Sequence, residues 1–321
     1  MAEYLDRTLC VIDGTYMMYY TIFSAQRKFE SLYPDDARIL FPDPETVDQE
    51  NLPCPTVSPQ YLRVLKETFI DKCNGIESVL RSKFQDVLDD SEVDFIFALD
   101  SGLKHSFRKE KFPEYKAQRK LIKRSYNVFA VKDYIEKVLF PDLDIHGIYG
   151  YNLVRVDGAE ADDVIACVMM GFANYRTRIL FASDHDFCQL EGVRQFDLSG
   201  KEIIPTITRS KGKITLTPKE AKMVKILSGD SSDNIPAVKN GIGKVRAYDL
   251  IHNKDKLKEF LVKNQDAAKQ YILNRTLVDF NMIPDDLRKT VVESVGKYLD
   301  KSQYEKTALR NALEGQPVMM I

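Results

Sequence analysis

The chain has 321 residues, 44% hydrophobic and 29% charged, a length for one large domain with a smaller satellite and a composition that excludes wholesale disorder. A formal net charge of -2 gives no global sign of a polyanion partner, yet it hides a segregated stretch: from Lys104 to Arg124 nine Lys and Arg stand against Glu110 and Glu114 alone. The five cysteines, odd in number and without a C-x-x-C pair, exclude a disulfide framework and disfavour a zinc site.

The N-terminus carries Glu3 and Asp6 ahead of a short apolar run, unlike a signal peptide, and no stretch is long and apolar enough to span a bilayer. These features point to a reducing, cytoplasmic setting. The first buried strand is Thr8 to Ile12, closed by Asp13 and Gly14. Residues 31 to 59, with Pro34, Pro42, Pro44, Pro53, Pro55 and Pro59, read as an extended loop between two helices. A long helical pattern follows from Ser58 to Gln85, with a break predicted at Asn74-Gly75.

Two further strands, Val93 to Leu99 and Arg178 to Ala182, end beside Asp100 and Asp184. Helical segments between them are long enough for right-handed crossovers, so the expected fold is α/β, a mostly parallel sheet flanked by helices. That arrangement brings Asp13, Asp100 and Asp184 to the carboxyl edge, where open α/β sheets bind ligands. From Glu160, the apolar stripe Ala161, Val164, Ile165, Val168, Met169 and Phe172 marks an amphipathic helix whose first turn holds Asp162 and Asp163. After Pro218 the chain reads as mainly helical. The expected division is an α/β core over 1–205, a helical lobe over 206–314 and a tail over 315–321.

Asp184 and Asp186 flank His185; an extended backbone there sends both acids to one face and the histidine to the other. Asp230 and Asp233 add two more acids at i, i+3. Nine carboxylates gathered without cations would be forced to protonate, and hard divalent cations remove that conflict. An all-oxygen donor set suits Mg²⁺ or Mn²⁺, and two such ions in one site are the recurrent arrangement of nucleases and phosphatases. Hydrolysis of phosphodiesters is the expectation. His105, His146 and His252 show no ligand spacing and receive no role.

The basic stretch leaves directly from Asp100 and is interleaved with Phe107, Phe112, Tyr115 and Tyr126, a mixture suited to single-stranded nucleic acid. Farther on, the sequence from Asn234 reads as a helix, a tight Gly241-Ile242-Gly243 turn and a second helix opening at Lys244. Backbone amides there, with Lys244 and Arg246, suit a duplex backbone without reading its sequence.

Taken in order, Val11-Ile-Asp-Gly14, Ala98-Leu-Asp100, Phe107-Arg-Lys-Glu110, Pro113 to Arg119, Glu160-Ala-Asp-Asp163, Ser183 to Asp186, Gly229 to Ile235 and Gly241-Ile-Gly243 resemble the flap endonuclease family. They are most similar to the bacteriophage 5′-exonucleases and to the 5′-nuclease domain of bacterial DNA polymerases. The resemblance implies a PIN-like core in which Asp13, Asp100, Glu160, Asp162 and Asp184 hold one metal. Asp186, Asp230 and Asp233 help to hold the second, with Asp163 nearby. It implies that residues 101–127 form a helical arch over the site, through which a 5′ single strand passes. Lys116 is then an electrostatic catalyst, Arg108, Tyr115 and Arg119 position the strand, and Lys104 belongs to the DNA-binding set. The glycine hairpin resembles the family's helix–three-turn–helix, here about 225–251, with K⁺ on its carbonyls and Lys225, Lys244 and Arg246 assisting its amides.

The function implied is a Mg²⁺-dependent 5′-3′ exonuclease and flap endonuclease that removes flaps and RNA primers during replication. Its substrates would be DNA with a 5′ flap or free 5′ end and RNA–DNA hybrids. Its recruiting partners would be replication proteins such as a single-stranded-DNA-binding protein, a clamp or a polymerase. With no polymerase region following, a stand-alone, phage-type monomer in the cytoplasm of a bacterial host is the expectation. The alternatives are a PIN-type ribonuclease, which would lack the arch and glycine hairpin, a non-catalytic branched-DNA scaffold, and a dimeric Holliday-junction resolvase. The insert at 31–59 has no counterpart in the resemblance.

Overall fold

A computed structural model describes residues 5–88, 92–102, 106–145, 152–210, 212–296 and 298–299. Strand β1 (Leu5–Asp13) sits at the centre of a parallel sheet ordered β3-β2-β1-β4-β5, with β2 at Glu92–Leu99, β3 at Leu153–Arg155, β4 at Tyr175–Phe181 and β5 at Arg194–Phe196. The order turns back on itself at β1, so Asp13 lies where a doubly wound sheet opens its crevice. The period of two along β1 divides the core. Leu9 and Val11 face one layer and Cys10 and Ile12 the other, all without exposure.

On the Cys10 and Ile12 side lie α1 (Gly14–Leu32), α2 (Pro34–Leu40), α3 (Pro59–Leu88), α5 (Val128–Tyr134) and α6 (Phe140–Ile145), with α1, α3 and α5 supplying most of that core, whereas Phe107 of the short α4 (Phe107–Lys111) packs against the opposite layer. On the Leu9 and Val11 side, α7 (Ala161–Gly171) packs against β1 and β2. A separate antiparallel hairpin, β6 (Thr206–Arg209) and β7 (Gly212–Thr215), opens the lobe. Helices α8 (Pro218–Ser228), α9 (Lys244–Ile251), α10 (Lys254–Lys263) and α11 (Gln265–Val278) follow, with α8 and α9 sharing a small core of Val224, Leu227, Ala247 and Leu250. The last described helix, α12 (Asp285–Gly296), returns to α7 and buries Val291, Val292 and Val295 against it.

Four local expectations require correction. The 31–59 segment is not all extended: Pro34 starts α2, where its fixed φ suits a first helical position, and Pro55–Val57 forms a 3-10 turn. Helix α3 runs unbroken through Asn74-Gly75 and departs from helical geometry at Phe84 instead, because Cys73, Ile76 and Leu80 keep one buried stripe across the glycine. Residues 234–243 form no helix; the helix before the glycine turn is α8. The backbone at 184–186 is not extended, since Asp184 caps a 3-10 turn over His185–Gln189. Lys104, His105, His146 and the tail 315–321 lie outside the described residues.

Candidate metal centre

Asp13 ends β1 and caps α1, accepting the Tyr16 amide at 2.8 Å. Gly14 allows this tight entry, since a Cβ there would stand 2.8 Å from Leu99 Cδ2 and 3.0 Å from the Ala98 carbonyl. Asp100, after β2, accepts the Ala161 amide at 2.7 Å and so fixes the start of α7, while its own amide donates to the Thr15 hydroxyl. Glu160 and Asp163 close a capping box at that start. Asp184 follows β4 and accepts the Asp186 amide at 2.9 Å. Four elements therefore deliver acids to one sheet edge.

Burial first, then the nearby charges of Asp100 and Asp184, pushes the Asp13 carboxyl up to about 7. Burial likewise raises Asp162 well above the usual range, with Asp184, Asp13 and Glu160 adding to the effect and Lys116 opposing it. Burial would also raise Glu160, but Lys116 and Arg108 outweigh it and hold it below its ordinary value. Carboxylates that resist ionisation together until a cation arrives fit a site for hard divalent ions.

A second group forms where the lobe meets the core. Asp186, Asp230 and Asp233 offer oxygens that all lie within 4.8 Å of one another, and among the described residues this is the one set of three so disposed. Gly229, with φ of +72°, makes the turn that presents it: a Cβ there would stand 2.4 Å from the Ile235 carbonyl. Asp230 pairs with Ile235 in both directions, at 2.7 and 2.8 Å, and accepts the Ser232 amide and hydroxyl. Burial acts to raise Asp230, but Lys225 beside it prevails and keeps it low; in Asp233 burial wins over Lys116 and Arg119. Asp184 and Asp186, expected on one face, thus divide, Asp186 joining the lobe acids and Asp184 standing near Asp13 and Asp162.

The basic segment lies down across both groups as a strap. Lys116, 5% exposed, donates to Glu160 at 2.5 Å and stands 3.9 Å from Asp162 and 3.7 Å from Asp233. Its backbone is left-handed, φ 54°, a conformation that costs a lysine about 1 kcal/mol and is held by its amide on the Asp233 carbonyl. Tyr115 is buried among Ile226, Ile235, Leu277 and Val278, with its hydroxyl 3.2 Å from Asp233. Arg119 reaches Asp233 at 2.9 Å, and Lys225 contacts both Asp186 and Asp230.

Two predicted site residues have other partners. Asp163 is fully buried, with one oxygen bound to Arg108 at 2.6 Å and the other to the Glu160 amide at 3.0 Å. Arg108 is equally committed, donating to the Leu277 carbonyl as well, so here it joins strap, α7 and lobe rather than facing solvent. Gly241, at φ +83°, Gly243, Lys244 and Arg246 are exposed and line an open groove with Thr206 and Thr208 of β6, while Ile242 is buried beneath them. Sequence reading missed Ser106, which is fully buried and donates to Glu160, and Thr15 beneath Asp100; lone hydroxyls carry no spacing signal.

Residues 64–221 match the family described as the 5′-3′ exonuclease N-terminal resolvase-like domain. The chain is 32% identical over 163 residues to DNA polymerase I of Treponema pallidum, covering 49% of this chain and 15% of the polymerase. In structure it resembles the T5 D15 protein co-crystallised with metal ions, at a TM-score of 0.52 and 18% identity over 96% of this chain and 99% of that one. It also resembles the bacteriophage T5 D15 flap endonuclease in a pseudo-enzyme–product complex with DNA and metal ions, at 0.50 and 17% over 96% and 99%. At these identities the structural likeness is one of fold. The family match thus takes in residues 64–221, just under half of the chain, and the chain spans a fifth or less of the length of the curated relatives it matches.

Proposed function

We propose that the protein is a structure-specific 5′-nuclease, a flap endonuclease and 5′-3′ exonuclease acting on DNA with a 5′ flap or free 5′ end. The observation that carries this reading is the pairing of two carboxylate groups under one basic strap. Asp13, Asp100, Glu160, Asp162 and Asp184 would hold one Mg²⁺ or Mn²⁺, and Asp186, Asp230 and Asp233 a second, their all-oxygen chemistry fitting such ions. Bound there, the pair would activate water and neutralise charge on the scissile phosphodiester.

The protein's own groups supply the rest. Lys116 Nζ, already among the acids, would leave Glu160 and Asp162 to meet a phosphate oxygen of the bound substrate. Arg119 and Lys225 would exchange their carboxylate partners for substrate phosphates in the same way. Buried Tyr115 and Arg108 fix the strap and so act by positioning Lys116. Gly241, Gly243, Lys244 and Arg246 would grip the uncut duplex by its backbone, with K⁺ on the turn carbonyls. RNA–DNA hybrids, replication proteins and a monomeric state in a bacterial cytoplasm complete the proposal. Among the described residues no helix is long and apolar enough to cross a membrane.

The deciding experiment is Mg²⁺-dependent cleavage of a 5′-labelled flap duplex by the wild type, Asp184→Asn and Lys116→Ala, with product lengths resolved. Cutting near the junction, lost in both variants, supports the reading. Binding of DNA without product in any divalent metal overturns it in favour of a scaffold.

A further inference from the structure

The proline-rich insert is the one motif that the nuclease reading leaves without a task, and its contacts converge on one place. Its Gln49 side chain donates to the Arg124 carbonyl at 2.9 Å and accepts the Arg124 amide at 3.0 Å. Glu45 pairs with Lys123 at 2.5 Å, and the Pro53 carbonyl accepts the Asn127 amide at 2.8 Å. Phe41 packs edge-on against Tyr126 with ring centroids 4.9 Å apart, and Tyr126 is itself buried and bonded to Gln26 of α1. Residues 123–127, the C-terminal foot of the strap, are thus held by backbone bonds, an aromatic contact and an ion pair.

The middle of the strap is held differently. Lys116 and Arg119 rest on Glu160 and Asp233, and Gln118 and the Lys116 amide bond the backbone of the Ser232 and Asp233 turn. Those partners are the groups that metals and substrate must engage, so occupation of the site weakens the hold on the middle. None of the contacts at the foot involves a candidate metal ligand or a residue of the glycine hairpin. One end therefore stays fastened when the other contacts are exchanged.

We propose that residues 41–55 are the anchor of the strap, a positioning element. Through Glu45, Gln49 and Pro53 they fix residues 123–127 while the middle lifts from the carboxylates, and so return Lys116 to one place over the scissile phosphate. The consequence for Lys116 rests on the nuclease reading, whereas the anchoring does not.

Hydrogen exchange followed by mass spectrometry, on the full chain without DNA, tests the anchor in Gln49→Ala and in a variant with residues 43–50 replaced by a short Gly-Ser linker. In Gln49→Ala the amides over 119–127 should exchange about tenfold faster, the factor that two net hydrogen bonds confer, while β1 is unchanged. The linker variant should show a larger effect at the same place. Flap cleavage by both should lose kcat with little change in KM, as Lys116 is misplaced but duplex binding is retained. Unchanged exchange over 119–127 in both variants overturns the anchor, whatever the cleavage. If β1 also quickens in the linker variant, the exposed Gln49→Ala site alone decides. Failure of the wild type to cleave would remove the nuclease reading and leave the exchange comparison standing.

Discussion

The two carboxylate groups differ in how they are built. The sheet-edge acids come from strand ends and a capped helix start, and their excess charge is met by protons and by Lys116. The lobe-side acids sit on short turns and are matched by cations: Lys225 on Asp186 and Asp230, Arg119 and Lys116 on Asp233. The first arrangement stores repulsion in a rigid frame, which a divalent ion relieves directly. The second is already neutralised, so an ion there must displace a lysine.

The largest test of that frame lies at its buried pair. Asp163→Ala removes the nearest carboxylate from buried Arg108, leaving it Glu160 at 3.6 Å and the Leu277 carbonyl, and should cost about 3 kcal/mol in chemical denaturation. A loss below 1 kcal/mol would show that the pair does not organise the edge. Next, Asp162→Asn and Asp230→Asn should separate the groups by activity. The former should lower flap cleavage beyond the ~10–100-fold typical of an outer-shell partner, the latter less and with recovery at high Mg²⁺. Equal losses, both insensitive to Mg²⁺, would erase the distinction.

A third contrast is in pH. In the metal-free protein, folded Asp13 keeps its proton to about 7, whereas the unfolded chain releases it near its ordinary value of 3.8. Between those values the folded state holds more protons, so stability falls as pH rises from about 4 to 7, and below that window the loss is absent. Melting temperature across this range, with and without Mg²⁺, measures it; Mg²⁺ should flatten the decline, and Asp13→Asn should remove part of it. The smallest effect is at Lys225. Lys225→Met should lower metal-free stability by about 1 kcal/mol while tightening divalent binding by the lobe-side acids, read by titration calorimetry. Weaker binding would place Lys225 among the groups that support the ion.

Much of this was legible in the sequence because it follows short-range rules. The short continuous apolar run at Thr8–Ile12 and the stripe after Glu160 fix strand and helix, and a parallel sheet then brings their terminal acids to one edge. What was not legible depends on tertiary partners. Asp163 is indistinguishable from Asp162 by type, yet Arg108, 55 residues earlier, claims it. Asp184 and Asp186 divide because a side-chain cap turns the chain into a 3-10 helix, an alternative to extension that the two sequence positions do not reveal. The insert's role at the strap foot rests on contacts such as Gln49 with Arg124, 75 positions apart.

The return of α12 to the sheet has a consequence for synthesis. Val291, Val292 and Val295 complete the apolar layer over α7, so that layer stays open until almost all of the described chain has left the ribosome. The sheet and its acidic edge are assembled early, but their outer wall arrives last, after the whole lobe. A nascent chain halted after the glycine hairpin therefore presents α7 uncovered to the cell, a surface on which chaperones act.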